Sequence, residues 1–532
     1  MIERELNLHV PATVRAAIGK TLRAQKAKKQ SLQARYFDTP GRELAHAKIA
    51  LRLRLEGTQW VQTLKSPGAD ALSRIELNQP RPEPTLDLSI YKGTPAESAL
   101  SRLKGPLALR FETKVTRLTQ QVQLPDAVIE IAYDQGTVCA DELELPISEI
   151  EFELISGNSD AIFTIGAQWI QQYGLIIDLR SKAERGDILA KIAQSDKEQS
   201  DTMPCQKPRA GERAEQLARP RRAAPANLTP KMSIAEAYLA CANECLNQII
   251  RNTAFAAGVD AAHAAEALQA EHIHQLRVGI RRLRSCWKLF SGWIAPIDES
   301  LSVALQKNFV LLGETRDLDV VKLAVAPQLK LANMPDCQLP PAAPNAPPAD
   351  NIAASPEFQI TLLGLLKNLV TQGEMAGACV APSAKHKKTG APQKTPVEAT
   401  TAPLQLKRAL AKRLNDWLEK ITARGVHFDQ LPIDEQHDLR KMVKRLRYSL
   451  DFSEGALTGR NLDPWHNGLT QTQQVLGELN DFYMADHFYQ SLTPTQPEAW
   501  FAVGWLRARQ QHQISLAQTM FKRLARLEPL KA

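Results

Sequence analysis

The chain has 532 residues, with 66 lysines and arginines against 58 aspartates and glutamates, which gives a formal net charge of +8. A chain of this length is too long for a single hydrophobic core, so we expect two or three domains. The mild excess of basic residues favours a polyanionic partner in general. The seven cysteines show no Cys-x-x-Cys spacing, which argues against structural zinc and disulfides and fits a reducing compartment.

The first residues of the chain carry charge at once, beginning with Glu3, and no run of eighteen apolar residues occurs later. A secretory signal needs an apolar region near the start, and a membrane-spanning helix needs a long apolar run. We therefore expect a soluble, cytoplasmic protein that has no membrane partner.

Residues 1 to about 192 are predicted to form strands, because their charged residues repeatedly stand two apart. Glu3 and Glu5 flank Arg4, and Arg52 and Arg54 flank Leu53. The same spacing is found in two further sets, Arg74 with Glu76, and Glu149 with Glu151 and Glu153. Side chains alternate between the faces of a strand, so each set shares one face. An ordinary sheet with its polar face in water would show this alternation too.

The sign of the charge distinguishes these strands from an ordinary solvated sheet. Acidic strands stand at both ends of the segment and basic strands stand between them. If the sheet closes into a barrel, its inner face carries carboxylates and guanidinium groups together. Charges of both signs are tolerated in an interior when they are paired or bind ligands and metals. Such an interior would suit a metal-bound polyanion.

Several motifs in this segment resemble the CYTH superfamily of triphosphate tunnel metalloenzymes. They are Glu3-Arg-Glu5, Tyr36-Phe-Asp-Thr-Pro40, Leu51-Arg52-Leu-Arg54, Thr63-Leu-Lys65, Phe111-x-Thr113 with Arg117, Ile129-Glu130 to Asp134-x-Gly136, Glu149-Ile-Glu151, and Ser181-Lys182-x-x-Arg185-Gly186. The resemblance implies an antiparallel tunnel barrel that hydrolyses a triphosphate with a divalent metal. At one position the chain departs from the family pattern, because Asn7 stands where the family has lysine.

The resemblance implies a role for each charged set. The expected metal ligands are Glu3, Glu5, Glu149, Glu151 and Glu153, and oxygen-only ligands of this kind suit Mg²⁺ or Mn²⁺. The expected substrate-binding residues are Arg52, Arg54, Lys65, Arg74, Arg117, Lys182 and Arg185. Glu3, Glu5 and Lys65 are the expected catalytic residues. No Gly-x-x-x-x-Gly-Lys loop is present, so side chains must bind the phosphates.

Residues 193 to about 230 are polar and contain scattered prolines, which is typical of a linker. From Ser233 onward the sequence becomes rich in alanine and leucine and is predicted to be helical. Two low-complexity segments, near residues 339 to 348 and 385 to 394, interrupt it and form the predicted insertion at about 335–404.

The helical part contains a repeated basic motif. His274 begins His-x-x-Arg-x-x-x-Arg-Arg-x-Arg, and His437 begins the matching string in which lysine replaces one arginine. A Leu-Gly-Glu motif follows each copy. On a helix, offsets of 0, 3, 7 and 10 form one stripe. Like charges stacked in this way cost helix stability, so their duplication indicates an anionic ligand.

The repeated motif resembles the CHAD domain, a helical domain of two related halves, which implies binding of inorganic polyphosphate. The expected polyphosphate-binding residues are His274, Arg277, Arg281, Arg282, Arg284, His437, Arg440, Lys444, Arg445 and Arg447. The two histidines could equally be hydrogen-bonded groups that hold the helices in register. Asp317 and Asp481 could bind metal or orient arginines.

Taken together, the sequence predicts an α+β multidomain protein. Residues 1–192 form the β-barrel, 193–230 the linker and 231–532 the two-half helical domain. The predicted function is metal-dependent hydrolysis of inorganic triphosphate, with polyphosphate binding by the helices. Alternatives are a weak or inactive polyphosphate-binding scaffold, and thiamine-triphosphatase or adenylate cyclase activity. Nucleic acid is disfavoured because few aromatic residues lie among the arginines.

Overall fold

The computed structural model describes residues 2–68, 70–202, 215–261, 265–338, 347–378, 404–457 and 461–531. The N-terminal part contains nine strands: β1 Ile2–His9, β2 Lys28–Asp38, β3 Ala50–Glu56, β4 Gln59–Pro67, β5 Ser73–Arg81, β6 Ala108–Gln123, β7 Ala127–Ala140, β8 Leu143–Gly157 and β9 Ile176–Ile177. Five helices accompany them: α1 Arg15–Ala24, α2 Glu43–His46, α3 Glu97–Leu100, α4 Asp160–Tyr173 and α5 Lys182–Thr202.

The strands form one antiparallel sheet in the order β5-β4-β3-β2-β6-β7-β8-β1-β9. The first eight strands close into a barrel because β1 pairs with β5 as well as with β8. A closed barrel leaves none of these eight strands with a free edge. The predicted N-terminal antiparallel barrel is therefore confirmed.

The alternation of residues along β1 and β8 separates the two faces of the barrel wall. Leu6 and Phe152 are fully buried on the outer face. Helix α4 covers this face, where the ring centroids of Phe152 and Trp169 lie 5.6 Å apart. The charged residues between these apolar ones consequently face the interior.

Helix α5 packs against the inner face of the barrel where β2 and β6 form the wall. Its residues Leu189 and Ala190 share an apolar cluster with Tyr36 and Phe111 of the inner face. The packing is close, because a Cβ at Gly186 would collide with the ring of Phe111. The helix therefore brings its first residues to the charged part of the interior.

The C-terminal part is helical, as predicted. Its helices are α6 Ile234–Ala256, α7 Glu266–Phe290, α8 Glu299–Val320, α9 Ala326–Leu331, α10 Ala349–Ala354, α11 Pro356–Ala378, α12 Leu404–Gly425, α13 Ile433–Ser453, α14 Asp463–Leu492 and α15 Ala499–Leu524. The two repeated basic motifs lie on α7 and α13. Among the described residues, we find no helix with the length and apolar character needed to cross a membrane.

The chain forms two compact units. The first contains Met1–Arg222, Leu246–Leu276 and Asp350–Glu374, and the second contains Ala223–Cys245, Arg277–Ala349 and Met375–Ala532. Two helical segments thus pack within the unit that holds the barrel. The backbone amide of Ile177 in β9, for example, donates to the side chain of Gln359 in α11 at 2.9 Å.

The two segments predicted as linker and insertion contain more structure than their composition suggested. Helix α5 continues to Thr202, and Leu228 is buried. Helix α11 lies inside the predicted insertion, where Phe358 and Leu362 are fully buried. The proline-rich flanks masked this apolar stretch at the level of composition. Residues 203–214, 339–346 and 379–403 lie outside the described residues.

Candidate functional site

The inner wall of the barrel carries rows of charged residues that are set by strand register. In one row His9, Glu149, Asp134 and Arg117 follow each other across β1, β8, β7 and β6. A second, acidic row contains Glu5, Glu153 and Glu130, and the pair of Asn7 and Glu151 lies between the two rows. The basic strand β3 adds Arg52 and Arg54, which stand opposite Thr63 and Val61 of β4. The wall therefore combines both signs of charge, as the sequence predicted.

Three carboxylates of this wall form a compact triad. Asp134, Glu149 and Glu151 each offer one oxygen, and these oxygens lie within 4.8 Å of one another. Asp134 is fully buried, and Glu149 is 4% exposed. A buried set of carboxylate oxygens fits a hard divalent cation such as Mg²⁺ or Mn²⁺.

Two basic side chains reach this carboxylate triad. Lys182 Nζ lies 2.8 Å from Asp134, 2.7 Å from Glu151 and in an ion pair with Glu149. Arg117 donates to both oxygens of Asp134 at 2.7 and 2.6 Å and to Glu151 at 2.6 Å. Burial alone would raise the pKa of Glu151, but Lys182 and Arg117 hold it well below its usual range. Burial raises the pKa of Glu149, although Lys182 opposes this shift. Lys182 and Arg117 therefore compensate the triad from two sides.

A second acidic group lies where β1 meets β5. Lys65 Nζ lies 3.1 Å from Glu3 and also pairs with Glu76. Burial and a hydrogen bond with Glu76 raise the pKa of Glu3 to about 8. The Arg52 guanidinium lies 3.8 Å from Glu76 and donates to the Tyr36 hydroxyl at 3.2 Å. Burial opposes ionisation of Glu76 as well, but its hydrogen bond with Glu3 and the cations Lys65 and Arg52 lower its pKa to about 2. The proton of this pair therefore belongs to Glu3.

The remaining predicted residues of the barrel have different surroundings. Arg54 pairs with Glu56, and burial and Arg52 lower its pKa. Burial raises the pKa of Glu153 to about 7. The guanidinium of Arg74 donates to the backbone carbonyls of Ser73 and Ala71 at 2.8 and 3.3 Å, so it serves the adjacent loop.

Arg185 lies beside the carboxylate triad, but its donors are used by protein groups. Nη1 faces Glu149 at 3.5 Å, Nη2 donates to the carbonyl of Pro146 at 2.7 Å, and Asp260 accepts from both Nε and Nη2. The side chain is 3% exposed. Arg185 therefore holds protein carboxylates in place.

Asn7, which replaces the family lysine, stands opposite Glu151 on the inner face. Its side-chain oxygen Oδ1 is buried and has no hydrogen-bond partner among the described residues. Such an orphaned acceptor is costly unless a ligand donates to it.

Sequence reasoning omitted four residues of this site from the candidate set. Asp134 and Glu76 obey the period-two alternation and could have been found by applying it to every strand. Asp178, which pairs with Arg180, and Asp260 lie outside the charged strands. No sequence pattern pointed to Asp260, since only the tertiary fold brings it to Arg185.

The basic motifs on α7 and α13 bring like charges together in the second unit. Burial, then Arg440 and Arg281, lower the pKa of Lys444 to about 7. Burial and Arg281 also lower the pKa of Arg440, although Asp481 opposes this shift. Burial and Arg445 lower the pKa of Arg284. The two repeats therefore share one electropositive region.

Other members of the basic motifs make specific protein contacts. Arg277 donates to the carbonyl of Phe309 at 3.0 Å and lies over its ring. Arg282 is 3% exposed, donates to the carbonyl of Ala224 and lies over the ring of Phe452. Arg447 pairs with Asp451 at 3.2 Å.

The two motif histidines differ in exposure. His274 is half-buried, whereas His437 is exposed. Partial desolvation of the ring by neighbouring groups, together with Lys441 and Arg440, lowers the pKa of His437 even though the residue as a whole is exposed. The side chain of Asp317 lies outside the described residues.

Comparison with known proteins identifies both parts of the chain. Residues 1–186 match the CYTH domain, and residues 243–490 match the CHAD domain. An inorganic triphosphatase from Haemophilus influenzae is 37% identical over 161 residues. That alignment covers 29% of this chain and 44% of the relative, so the chain spans less than half of the relative's length.

Solved structures resemble each part separately. The CHAD domain from the plant Ricinus communis is 25% identical, covers 59% of this chain and 98% of its own, and has a TM-score of 0.44. A protein from Hippeastrum, described by a dominant triphosphatase activity, is 15% identical, covers 34% of this chain and 93% of its own, and has a TM-score of 0.24.

Proposed function

We propose that this chain, which carries a CYTH domain followed by a CHAD domain, hydrolyses inorganic triphosphate in its barrel and binds polyphosphate through its helices. The related triphosphatase supports a hydrolase of phosphoric anhydrides. The carboxylate triad of Asp134, Glu149 and Glu151 carries the proposal, because three carboxylate oxygens within 4.8 Å of one another could hold one divalent cation on a wall that also carries basic side chains.

The carboxylate triad is the proposed site of Mg²⁺ or Mn²⁺. Its ligand atoms are all oxygens, and their mutual separation suits one small cation. The sequence-based ligands Glu149 and Glu151 remain in this set, and Asp134 joins them. A bound divalent ion would neutralise phosphate charge and lower the pKa of coordinated water.

The basic side chains of the barrel are the proposed phosphate ligands. Arg52, Lys65 and Arg117 line the interior and would hold phosphate oxygens in one orientation. In hydrolysis a water oxygen bonds to the terminal phosphorus while the bridging P–O bond breaks, which yields phosphate and pyrophosphate. Cations fixed beside the leaving oxygen stabilise its developing charge.

Proton transfer in this scheme falls to the acidic group between β1 and β5. Glu3 holds a proton near neutral pH because of its burial and its hydrogen bond with Glu76. It can therefore donate that proton to the leaving oxygen. Glu5 and Lys65 are kept beside Glu3 as proposed catalytic residues on the sequence resemblance.

The CHAD part is the proposed polyphosphate-binding region. Burial and the neighbouring Arg281 lower the pKa of Arg440, and burial, Arg440 and Arg281 lower the pKa of Lys444; a bound anion would oppose both shifts. The buried Arg282 is left out of the proposed set because its guanidinium serves the protein interior.

A binding-only barrel is the second candidate. Asn7 favours it, because an amide contributes no charge where the family has an ammonium group. Charge-assisted hydrogen bonds are roughly twice as strong as neutral ones.

The test is phosphate release from inorganic triphosphate, ATP and thiamine triphosphate, with Mg²⁺, Mn²⁺ or EDTA. We expect metal-dependent release from inorganic triphosphate that falls at least about 100-fold in Glu149→Gln. Glu112→Gln, which removes a carboxylate paired with Arg35 on the outer face, is the control and should retain activity. Triphosphate binding without release in the wild type would instead support the binding-only barrel.

A further inference from the structure

Asp260 connects the helical part of the chain to the carboxylate triad. It follows α6, inside the residues that match the CHAD domain, and it lies in the same compact unit as the barrel. Its Oδ1 accepts from Arg185 Nη2 at 2.9 Å and its Oδ2 accepts from Arg185 Nε at 3.1 Å. This is a bidentate pair in which both side chains are almost fully buried, 3% and 4% exposed.

Arg185 transmits this contact to the carboxylate triad. Its remaining nitrogen, Nη1, faces Glu149 Oε2 at 3.5 Å. The guanidinium group is planar and rigid, so a carboxylate bound to Nε and Nη2 also fixes the position of Nη1. Asp260 thereby sets the position of a cation that touches a triad carboxylate.

The charges around Asp260 indicate what a neutral replacement would change. Its Oδ2 also lies 3.0 Å from Arg180, which in turn pairs with Asp178. One carboxylate therefore stands between two buried guanidinium groups. Loss of its charge leaves these cations undercompensated, and Arg185 would draw closer to Glu149.

The backbone at Asp260 suits this role. The residue has φ of +53°, in the left-handed region that aspartate and asparagine tolerate better than most residues. Asp260→Asn therefore preserves the local backbone and the side-chain shape while it removes the charge.

We propose that Asp260 is a positioning residue that acts through Arg185 on Glu149, so that a residue of the CHAD part completes the divalent-metal site of the barrel. The inference rests on the proposed role of the triad as a metal site. Groups that orient metal ligands typically change metal affinity or activity by roughly 10- to 100-fold when they are substituted.

Glu184, the residue before Arg185, provides a matched control. Glu184 accepts from Arg251 of α6, at 2.8 Å for one of the two bonds, and thus also links α5 to the helical part. This pair does not contact the triad. Glu184→Gln therefore removes an ion pair between the same two segments without removing a hydrogen bond of Arg185 or Glu149.

The experiment measures Mn²⁺ binding to the full-length, metal-free protein by calorimetry without substrate, together with triphosphate hydrolysis and the thermal unfolding midpoint. We expect Asp260→Asn to raise the Mn²⁺ dissociation constant by about 10- to 100-fold. Glu184→Gln should stay within about twofold of the wild type, and Asp260→Glu, which restores the charge, should recover part of the affinity.

The outcomes separate this inference from the proposed function. Unchanged Mn²⁺ affinity in Asp260→Asn, or equal weakening in both variants, would overturn it. Absence of Mn²⁺ binding in the wild type would overturn it together with the metal site. If Asp260→Asn weakens Mn²⁺ binding but the wild type releases no phosphate, the positioning role stands and the proposed hydrolysis fails.

Discussion

The barrel interior and the pair of basic helices both concentrate charge, but they compensate for it differently. In the barrel, Lys182 lies among three carboxylates, and its pKa is raised well above its usual value despite burial. On α13, Lys444 lies among arginines, and its pKa falls to about 7. The barrel supplies counter-charges from its own strands. The helices hold an excess of one sign, which favours an external anion.

This difference suggests what each region needs from its ligand. On the proposed function, a triphosphate that entered the barrel would exchange existing ion pairs for new ones, and a divalent cation would assist that exchange by binding the carboxylates. A polyphosphate bound to the helices would relieve repulsion directly. Metal dependence is therefore expected for the barrel alone.

The largest effect on ligand affinity is expected when a negative charge is placed among the cations of the basic helices. Arg440→Glu places a carboxylate beside Arg281 and Lys444. We expect polyphosphate affinity to fall about 100-fold, because an attraction becomes a repulsion. Calorimetric titration measures the affinity.

Arg507→Glu is the control for this reversal. Arg507 is an exposed arginine of α15 that pairs with Asp486. The substitution changes the net charge by the same amount outside the basic motifs. An equal loss of affinity in Arg507→Glu would mean that total charge, and not the paired helices, determines binding.

An intermediate effect is expected from pH. At pH 8 Lys444 is mostly neutral, so polyphosphate binding should raise its pKa and take up a proton. Affinity should decline by up to about tenfold between pH 6 and pH 8.5, because charging the lysine then costs more. Calorimetry in buffers of different ionisation enthalpy measures the proton uptake.

Lys444→Met supplies the comparison for the pH experiment, since it keeps the apolar stem and removes the titrating group. Its proton uptake should be close to zero. Stability should depend on pH in the opposite direction from affinity. The pKa of Lys444 in the folded protein lies below its ordinary value of 10.5, so the unfolded chain binds more protons between pH 7 and 10.5. The free energy of unfolding therefore rises with pH in this range. An identical pH dependence in Lys444→Met would refute the role of Lys444.

The smallest effect is expected from adding a cation to the barrel. Asn7→Lys places an ammonium group opposite Glu151, where Lys182 already provides positive charge. We expect the KM for triphosphate to fall about threefold with little change in kcat, since the new charge-assisted bond is partly offset by repulsion. Asn7→Met, which adds length without charge, should not lower the KM. A rise in KM for Asn7→Lys would show that the interior has no room for another cation.

The sequence predicted the barrel and much of its inner wall because side chains alternate along a strand. Residues two apart therefore lie on the same face of the sheet. Glu149, Glu151 and Arg117 lie where this rule places them. The rule assigns a face but not a contact. Arg74 and Glu76 share spacing, yet the guanidinium of Arg74 turns to the carbonyls of its own loop.

The parts that the sequence did not predict depend on contacts between distant segments. Asp260 has no neighbour in sequence that marks it as part of a charged site. Helix α11 was hidden by the low-complexity stretches on both sides of it. The domain limits at residues 192 and 230 remain predictions, since α5 and the segment that contains Leu228 continue ordered structure across them.

The closure of the barrel has a mechanical consequence. Within the described strands, β1 meets β5 over the pairs Ile2 with Ile75, Glu3 with Arg74 and Arg4 with Ser73. The pairing of β6 with β7 extends from Glu112 to Gln123. The backbone seam between β1 and β5 is therefore short, and side chains add to it, since Lys65 of β4 lies 3.1 Å from Glu3 of β1. Closure of the cylinder thus depends in part on charged side chains of its inner wall.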